Sequence, residues 1–102
     1  MRRGESATLT NVTKVGEVHI NLAKALATVF AAGVYNRAEL QDAVCSYVAE
    51  MKKTGQSGEA VVRAAQDLVR EVGARFPSSD RAQVVLADIV TWCLAEYYRE
   101  SA

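Results

Sequence analysis

His19 is the only histidine in this chain of 102 residues, so it is the first side chain to consider for chemistry. An imidazole can act as a general acid or base, bind a metal ion or carry a phosphoryl group. Successive helical residues are rotated by about 100°, which places His19 in an apolar arc with Val12, Val15, Leu26 and Phe30. The pattern therefore predicts a hydrogen-bonded histidine in or beside the core.

Metal, phosphate and nucleophile chemistry all need partners that the sequence does not offer. A di-iron bundle requires Glu-x-x-His pairs on two helices, whereas Gly16 stands three positions before His19. Cys45 and Cys93 are far apart and form no CxxC pair, which predicts two small core residues. Residues 55–58 (GQSG) lack the lysine of a phosphate-binding loop. We expect no catalytic residue, metal site, cofactor or small-molecule ligand, and a protein that is not an enzyme.

The composition predicts one helical domain spanning residues 1–102. Half of the residues are hydrophobic and only one is a proline, which argues against disorder. Twelve basic residues balance twelve acidic ones, so the positive charge typical of nucleic-acid binders is missing. No signal-peptide core follows Arg2 and Arg3, and no apolar run approaches the roughly 20 residues of a membrane span. We expect a soluble, cytoplasmic protein that avoids membranes.

Hydrophobic periodicity predicts four helices, at about residues 10–32, 37–53, 58–72 and 80–100. The first three each place apolar residues at spacings of three and four, on one arc. Asn36 followed by Glu39 forms a capping-box pattern at the start of the second helix. The residues predicted to end or cap the helices are Gly33, Asn36, Gly55, Ser57, Gly73, Pro77 and Ser78 to Asp80.

No segment alternates apolar and polar residues over a strand length, so the predicted fold class is all-α. Connections of a few residues make consecutive helices antiparallel neighbours. The sequence therefore predicts a small four-helix bundle with up-down-up-down topology. An irregular orthogonal bundle is the alternative, because periodicity fixes buried faces but not crossing angles.

A four-helix bundle of this length resembles histidine phosphotransfer domains, in architecture alone. In that family the phosphorylated histidine is exposed, and a lysine follows it at the third position. Here Leu22 stands at that position, and Lys24 lies on another side of the helix. The resemblance implies an alternative function, phosphotransfer through His19, which the apolar position of this histidine disfavours.

The third helix supports another alternative, a weak DNA-binding regulator. Together with the second helix it could form a helix-turn-helix that presents the polar side chains Arg63, Gln66, Arg70 and Arg75. Glu59 and Asp67 share that face, where they would meet phosphates. A solvated helix face is therefore favoured over a nucleic-acid partner.

The fourth helix has apolar residues on almost every side, whereas a surface helix usually has one apolar arc. Polar residues (Arg81, Asp88, Glu96 and Arg99) define its predicted solvent side. The opposite side, predicted to face the core, carries Leu86, Val90, Cys93, Leu94 and Tyr97. A second apolar strip through Val85, Ile89 and Trp92 then falls on the solvent side.

That strip has two interpretations. A neighbouring helix or the N-terminal residues Leu9 and Val12 could cover it, or it could meet another molecule. Tryptophan, tyrosine and arginine dominate interface hot spots. The sequence therefore predicts a bacterial-type interaction or regulatory module, forming a homodimer or binding another protein. The predicted interface comprises Val85, Ile89, Trp92, Glu96, Tyr98 and Arg99.

Overall fold

Four α-helices, and no strand, make up the part of the chain that the structure describes. This computed structural model describes residues 3–32, 35–77 and 79–99, with the side chains of the first helix from Val15 onward. The helices are α1 (Arg3–Ala31), α2 (Arg37–Lys53), α3 (Gly58–Gly73) and α4 (Ala82–Tyr97). The all-α prediction is confirmed. α1 begins earlier than predicted, and α4 is shorter at both ends.

Side-chain caps fix the starts of α2 and α3 at the predicted residues. Oδ1 of Asn36 accepts a hydrogen bond from the backbone N–H of Glu39 at 3.3 Å, and Oγ of Ser57 accepts one from that of Ala60 at 3.1 Å. Each cap satisfies an N–H group that has no partner inside its helix, and is worth about 1 kcal/mol. Gly55 has a φ of 89°, a left-handed conformation that favours glycine, just after α2.

The start of α4 differs from the prediction. Arg81 occupies the N-cap position, and no side chain caps the first turn. Among the predicted caps, Asp80 lies before this position, and Oγ of Ser79 accepts a hydrogen bond from the backbone N–H of Arg81 at 3.4 Å. Ser78 and Gly33, the predicted end of α1, lie outside the described residues.

Contacts at the two ends of the bundle show that helix directions alternate along the chain. At one end, Arg81 before α4 donates to the carbonyl oxygen of Val29 near the end of α1, at 2.7 Å. At the other end, Lys52 of α2 donates to the carbonyl oxygen of Tyr97 at the end of α4, at 2.6 Å. Gly58, at the start of α3, faces the ring of the same Tyr97. The four-helix bundle prediction is confirmed.

The lateral order of the helices differs from their order along the chain. α1 packs against α2 and α3, and α4 packs against the same two helices on the other side. α2 and α3 are consecutive but share few contacts, because they lie diagonally across the bundle. α4 therefore has two flanks covered by α2 and α3, and an outer side that no described helix covers.

The core draws on all four helices. On α1, α2 and α3 the buried residues recur at spacings of three and four along one side of each helix, as predicted. Burying a side chain the size of valine or leucine stabilises the fold by about 1.5–3 kcal/mol. The largest fully buried side chains are Leu22, Leu26, Leu40, Val44, Val48, Val61, Val69, Val72, Val85, Ile89 and Cys93.

Candidate protein-interaction surface

The core-facing line of α4 runs through Val85, Ile89 and Cys93, all of them 0% exposed. These residues are four positions apart, so they form one line along the helix. Of the two interpretations of the strip, cover by neighbouring helices holds for Val85 and Ile89, and their assignment to an exposed interface is wrong, because the packed helices bury them within one chain. They cannot contact a second molecule while the bundle is folded.

Trp92 is half-buried and packs against the core. One turn before it, Oδ2 of Asp88 accepts hydrogen bonds from Oη of Tyr35 at 2.8 Å and Nε of Arg37 at 3.0 Å. Both donors lie at or just before the start of α2, so this side of α4 is its α2-facing edge. The predicted cover by the side chains of Leu9 and Val12 lies outside the described residues.

The two charged residues of the predicted interface, Glu96 and Arg99, follow Trp92 by four and seven residues, and Arg99 lies just beyond the end of α4. Oε1 of Glu96 accepts a hydrogen bond from Arg99 at 3.2 Å, and the Glu96 side chain is only 20% exposed. Burial, followed by the nearby Glu96 carboxylate, raises the pKa of the Cys45 thiol on α2. Glu96 therefore lies against α2, while Arg99 is exposed.

The uncovered side of α4 carries three large apolar side chains. Val84 is 46% exposed, Leu94 44% and Tyr98 63%. Only one other large hydrophobic residue in the described chain is comparably exposed, Ile20 on α1. Smaller exposed residues fill the spaces between the three. We call this surface the α4 outer face: Val84, Ala87, Thr91, Leu94, Ala95 and Tyr98.

The α4 outer face has no charged residue. The only charged side chains between Ala82 and Tyr97 are Asp88 and Glu96, and both lie on the α2-facing edge. An apolar helix face without charges can be desolvated at little cost, because no ion loses its hydration. This property separates the α4 outer face from the charged outer sides of α2 and α3.

A groove of about 370 Å³ continues the α4 outer face towards α3. Leu94 and Tyr98 form one wall, and the opposite wall of α3 includes Val62 and Gln66. Two further α3 residues at the groove, Arg63 and Glu59, pair with each other at 3.5 Å, so they add no net charge.

The C-terminal end of α4 is held against the connection between α2 and α3. Oη of Tyr97 donates to the carbonyl oxygen of Gln56 at 2.6 Å, and Lys52 lies 5.1 Å from the centre of the Tyr97 ring. Tyr98 packs edge-on against Tyr97, with centroids 5.0 Å apart, and lies over Gly58. A Cβ atom at Gly58 would come within 2.9 Å of Cζ of Tyr98, so glycine leaves the space that this tyrosine occupies.

His19 is exposed on α1, and the prediction that it lies in or beside the core is corrected. Its ring lies 6.4 Å, centroid to centroid, from that of Tyr47 on α2, which is buried. The sequence pattern placed His19 within an apolar arc of α1, but its side chain is exposed although Leu26 and Phe30 of the same arc are buried. Leu22 is fully buried, so it offers nothing to a phosphate on His19.

The polar face of α3 is occupied by ion pairs along the helix. Besides the pair of Arg63 with Glu59, Arg70 pairs with Asp67 at 3.3 Å. Gln66 is half-buried at the groove, and Arg75 is exposed beyond the end of α3. These pairs lower the positive potential that DNA phosphates need.

The two cysteines are free, Cys93 in the core and Cys45 half-buried. Burial raises the pKa of the Cys93 thiol to about 12, with a smaller contribution from Cys45. Thiols held in the protonated form are poor nucleophiles. In the described residues, no group of three His, Cys, Asp or Glu side chains could hold a metal ion, and no helix is long and apolar enough to cross a membrane.

Sequence reasoning missed Val84 and assigned Leu94 to the core, although Leu94 is 44% exposed. The charged residues of α4 caused the error, because they were taken to mark the solvent side. They mark the α2-facing edge. The usable signal was the uncharged line of small residues through Ala87, Thr91 and Ala95, since a core-facing line usually carries larger side chains.

No protein-family model, curated protein or solved structure matches this chain.

Proposed function

We propose that this protein is a non-enzymatic interaction module that self-associates through the α4 outer face. One observation carries the proposal: Val84, Leu94 and Tyr98 are exposed together on a helix face that has no charged residue. The α2-facing edge, where the sequence predicted the interface, supplies only the exposed Arg99 as a rim charge. The free cysteines Cys45 and Cys93 are in keeping with a reducing compartment such as the cytoplasm.

The chemistry of the face favours a protein partner. Contiguous exposed apolar surface is uncommon on monomers and often marks an interaction site. Removing apolar surface from water contributes about 25 cal/mol per Å², and tyrosine is one of the usual anchors of interfaces. Tyr98 is suited to this role because its contacts with Tyr97 and Gly58 already restrict its position.

A standard interface covers about 800 Å² on each partner, which is more than one short helix face supplies. The groove beside Leu94 and Tyr98 extends the apolar area to Val62 on α3. The self-paired Arg63 and Glu59 border this area without adding net charge. Two copies therefore meet without like-charge repulsion along α4.

Light scattering of the wild type and two matched variants tests the proposal. Leu94→Glu puts a charge on the α4 outer face, whereas Ile20→Glu puts one at a similarly exposed apolar position on α1. We expect the wild type and Ile20→Glu to have the mass of a dimer and Leu94→Glu that of the 11.1 kDa chain. Circular dichroism checks that all three remain helical.

Two results would contradict self-association through this face. One is a wild-type monomer over the whole concentration series. The other is a Leu94→Glu protein that keeps the dimer mass; if Ile20→Glu then loses it, the interface lies on α1.

The exposure of His19 favours a second candidate, a phosphate-carrying role for this imidazole. A carrier histidine has to present a ring nitrogen to its partner, and the side chain is exposed. Incubation with a labelled small-molecule phosphodonor, followed by acid treatment, tests it. Acid-labile label on the wild type and none on His19→Gln supports the role. Absence of label on the wild type, or equal label on both proteins, excludes it.

A further inference from the structure

A cavity of about 550 Å³ lies where the end of α1 meets the connection between α3 and α4. Its walls come from residues 30–32 on one side and from residues 75–77 and 79–81 on the other. Pockets that bind small molecules usually have volumes of about 300–1,000 Å³. The cavity is therefore large enough for a small organic molecule, and it lies at the opposite end of α4 from Leu94 and Tyr98.

Two aromatic rings give the cavity an apolar wall that is already formed. Phe30 of α1 and Phe76 stack with their centroids 6.1 Å apart and their planes at 21°. Phe30 is buried in the core, so it holds the half-buried Phe76 in position. The exposed ring of Pro77 continues this wall. A further flat ring packs well against such a wall, since aromatic groups prefer offset-stacked or edge-to-face contacts.

The polar side of the cavity carries one surplus positive charge. Its charged residues are Arg75, Asp80 and Arg81, so two guanidinium groups oppose one carboxylate. Nη1 of Arg81 donates to the carbonyl oxygens of Val29 and Ala32, so this guanidinium group is held in place and keeps its charge. The Arg75 side chain is exposed and forms no ion pair within the described residues. This balance favours a ligand with one negative charge.

We propose that this cavity binds a small aromatic carboxylate, with its ring against Phe76 and Pro77 and its carboxylate on Arg75. A carboxylate accepts two parallel hydrogen bonds from a guanidinium group, whose planar fork matches its geometry. A nucleotide fits less well, because two or more phosphate charges would exceed the single surplus charge and meet Asp80. An amine would be repelled by the same surplus. The site is independent of self-association, because no residue of the α4 outer face lines it.

An NMR titration of the full chain tests the site with naphthoate, uncharged naphthamide and acetate. Naphthoate combines a ring with a carboxylate, whereas naphthamide lacks the charge and acetate lacks the ring. We expect naphthoate to bind about tenfold more tightly than either, because each of the others loses one of the two contacts. The amide signals of residues 30–32, 75–77 and 79–81 should shift, and those of Leu94 and Tyr98 should not.

Three variants distinguish this site from non-specific binding. Arg75→Gln should weaken the binding of naphthoate about tenfold and leave that of naphthamide unchanged. Asp80→Asn removes the opposing charge, so it should tighten the binding of naphthoate. Arg70→Gln is the matched control, because Arg70 is exposed on α3, pairs with Asp67 and does not line the cavity. It removes the same charge from the surface and should leave the affinity unchanged.

Shifts confined to the cavity, together with opposite effects of Arg75→Gln and Asp80→Asn, are expected only for the proposed site. Equal binding of naphthoate and naphthamide, or equal weakening by Arg75→Gln and Arg70→Gln, overturns it. Naphthoate that shifts the α4 outer face instead, or that causes no shift at millimolar concentration, overturns it as well. The same spectra show whether each variant is folded, and the mass of the wild type by light scattering affects none of these outcomes.

Discussion

Oη of Tyr35 donates a hydrogen bond to Oδ2 of Asp88 over 2.8 Å, and this bond joins the connection after α1 to the middle of α4. Arg37 donates to the same carboxylate oxygen at 3.0 Å and lies 5.0 Å from the centre of the Tyr35 ring. Burial, followed by this hydrogen bond to Asp88, raises the pKa of Tyr35 above its usual range. Asp88 is therefore part of the packed structure, although a helical wheel assigns it to solvent.

Replacing Asp88 with alanine should lower the free energy of unfolding by about 1–3 kcal/mol, the usual cost of leaving a polar partner unsatisfied. The bond to half-buried Tyr35 should account for most of this loss, because the Arg37 side chain is 62% exposed. Asp67→Ala is the control, since its pair with Arg70 is exposed on both sides and should be worth at most about 1 kcal/mol. Urea unfolding measures both, and equal losses would mean that Asp88 is no more than a surface charge.

The reassigned faces of α4 make a second prediction. Ile89→Ala should cost about 2–5 kcal/mol, because it leaves a cavity in the core. Leu94→Ala should cost less than about 1 kcal/mol, because the side chain is 44% exposed and can be hydrated in both states. The two should be compared by denaturant unfolding at protein concentrations where the wild type is monomeric. If Leu94→Ala instead lowers the free energy of unfolding more than Ile89→Ala does, Leu94 belongs to the core, as the sequence predicted.

The sequence was sufficient for the parts of the fold that local signals determine. Asn36 and Ser57 cap helices as predicted, because their side-chain oxygens accept hydrogen bonds from backbone N–H groups that have no partner inside the helix. Gly55 ends α2 because few other residues adopt its φ. The buried arcs of α1, α2 and α3 also follow from spacing, since each has a charged arc opposite.

The orientation of α4 could not be obtained in this way. Its apolar residues surround the helix, so the side that faces the core depends on which neighbouring helices cover it. α2 and α3 cover two flanks, and this lateral order is not encoded in connection lengths. Asp88 accepts hydrogen bonds from Tyr35 and Arg37, which lie more than fifty residues earlier in the chain. Its charge therefore marks the edge where α4 meets the start of α2, and not the solvent side of α4. The burial of His19 was also mispredicted, because it shares an arc with the buried Leu26 and Phe30 and yet no neighbouring helix covers its own side chain.

A third prediction concerns Arg81, whose guanidinium group donates hydrogen bonds to carbonyl oxygens near the end of α1. Its Nη1 donates to the carbonyl oxygens of Val29 at 2.7 Å and Ala32 at 2.6 Å, groups near the end of the helix. Arg81→Met should cost about 1.5–3 kcal/mol, the range for hydrogen bonds to a charged group. Arg81→Lys should recover part of this loss, since an ammonium group reaches fewer acceptors.

Arg75→Met is the matched control for Arg81, because Arg75 is exposed and belongs to the same connection. It should change the free energy of unfolding by no more than about 0.5 kcal/mol. Thermal or urea unfolding of the three variants decides the matter. If Arg81→Met and Arg75→Met behave alike, Arg81 does not hold α1 to α4.

A fourth prediction concerns the Cys93 thiol and the free energy of unfolding at alkaline pH. Burial raises its pKa from 9.0 to about 12 in the folded chain, so the native state keeps a proton that the unfolded state releases. The stabilisation from this group is therefore complete below pH 9.0 and falls as the pH rises towards about 12.

Cys93→Ala should lower the free energy of unfolding near neutral pH, because it loses core packing. Its free energy of unfolding should, however, fall less steeply over the alkaline range than that of the wild type. Tyr47, whose pKa is also raised by burial, contributes to the decline in both proteins. Unfolding free energies measured across this pH range give the comparison, and parallel curves for the two proteins would show that Cys93 does not titrate as a buried thiol.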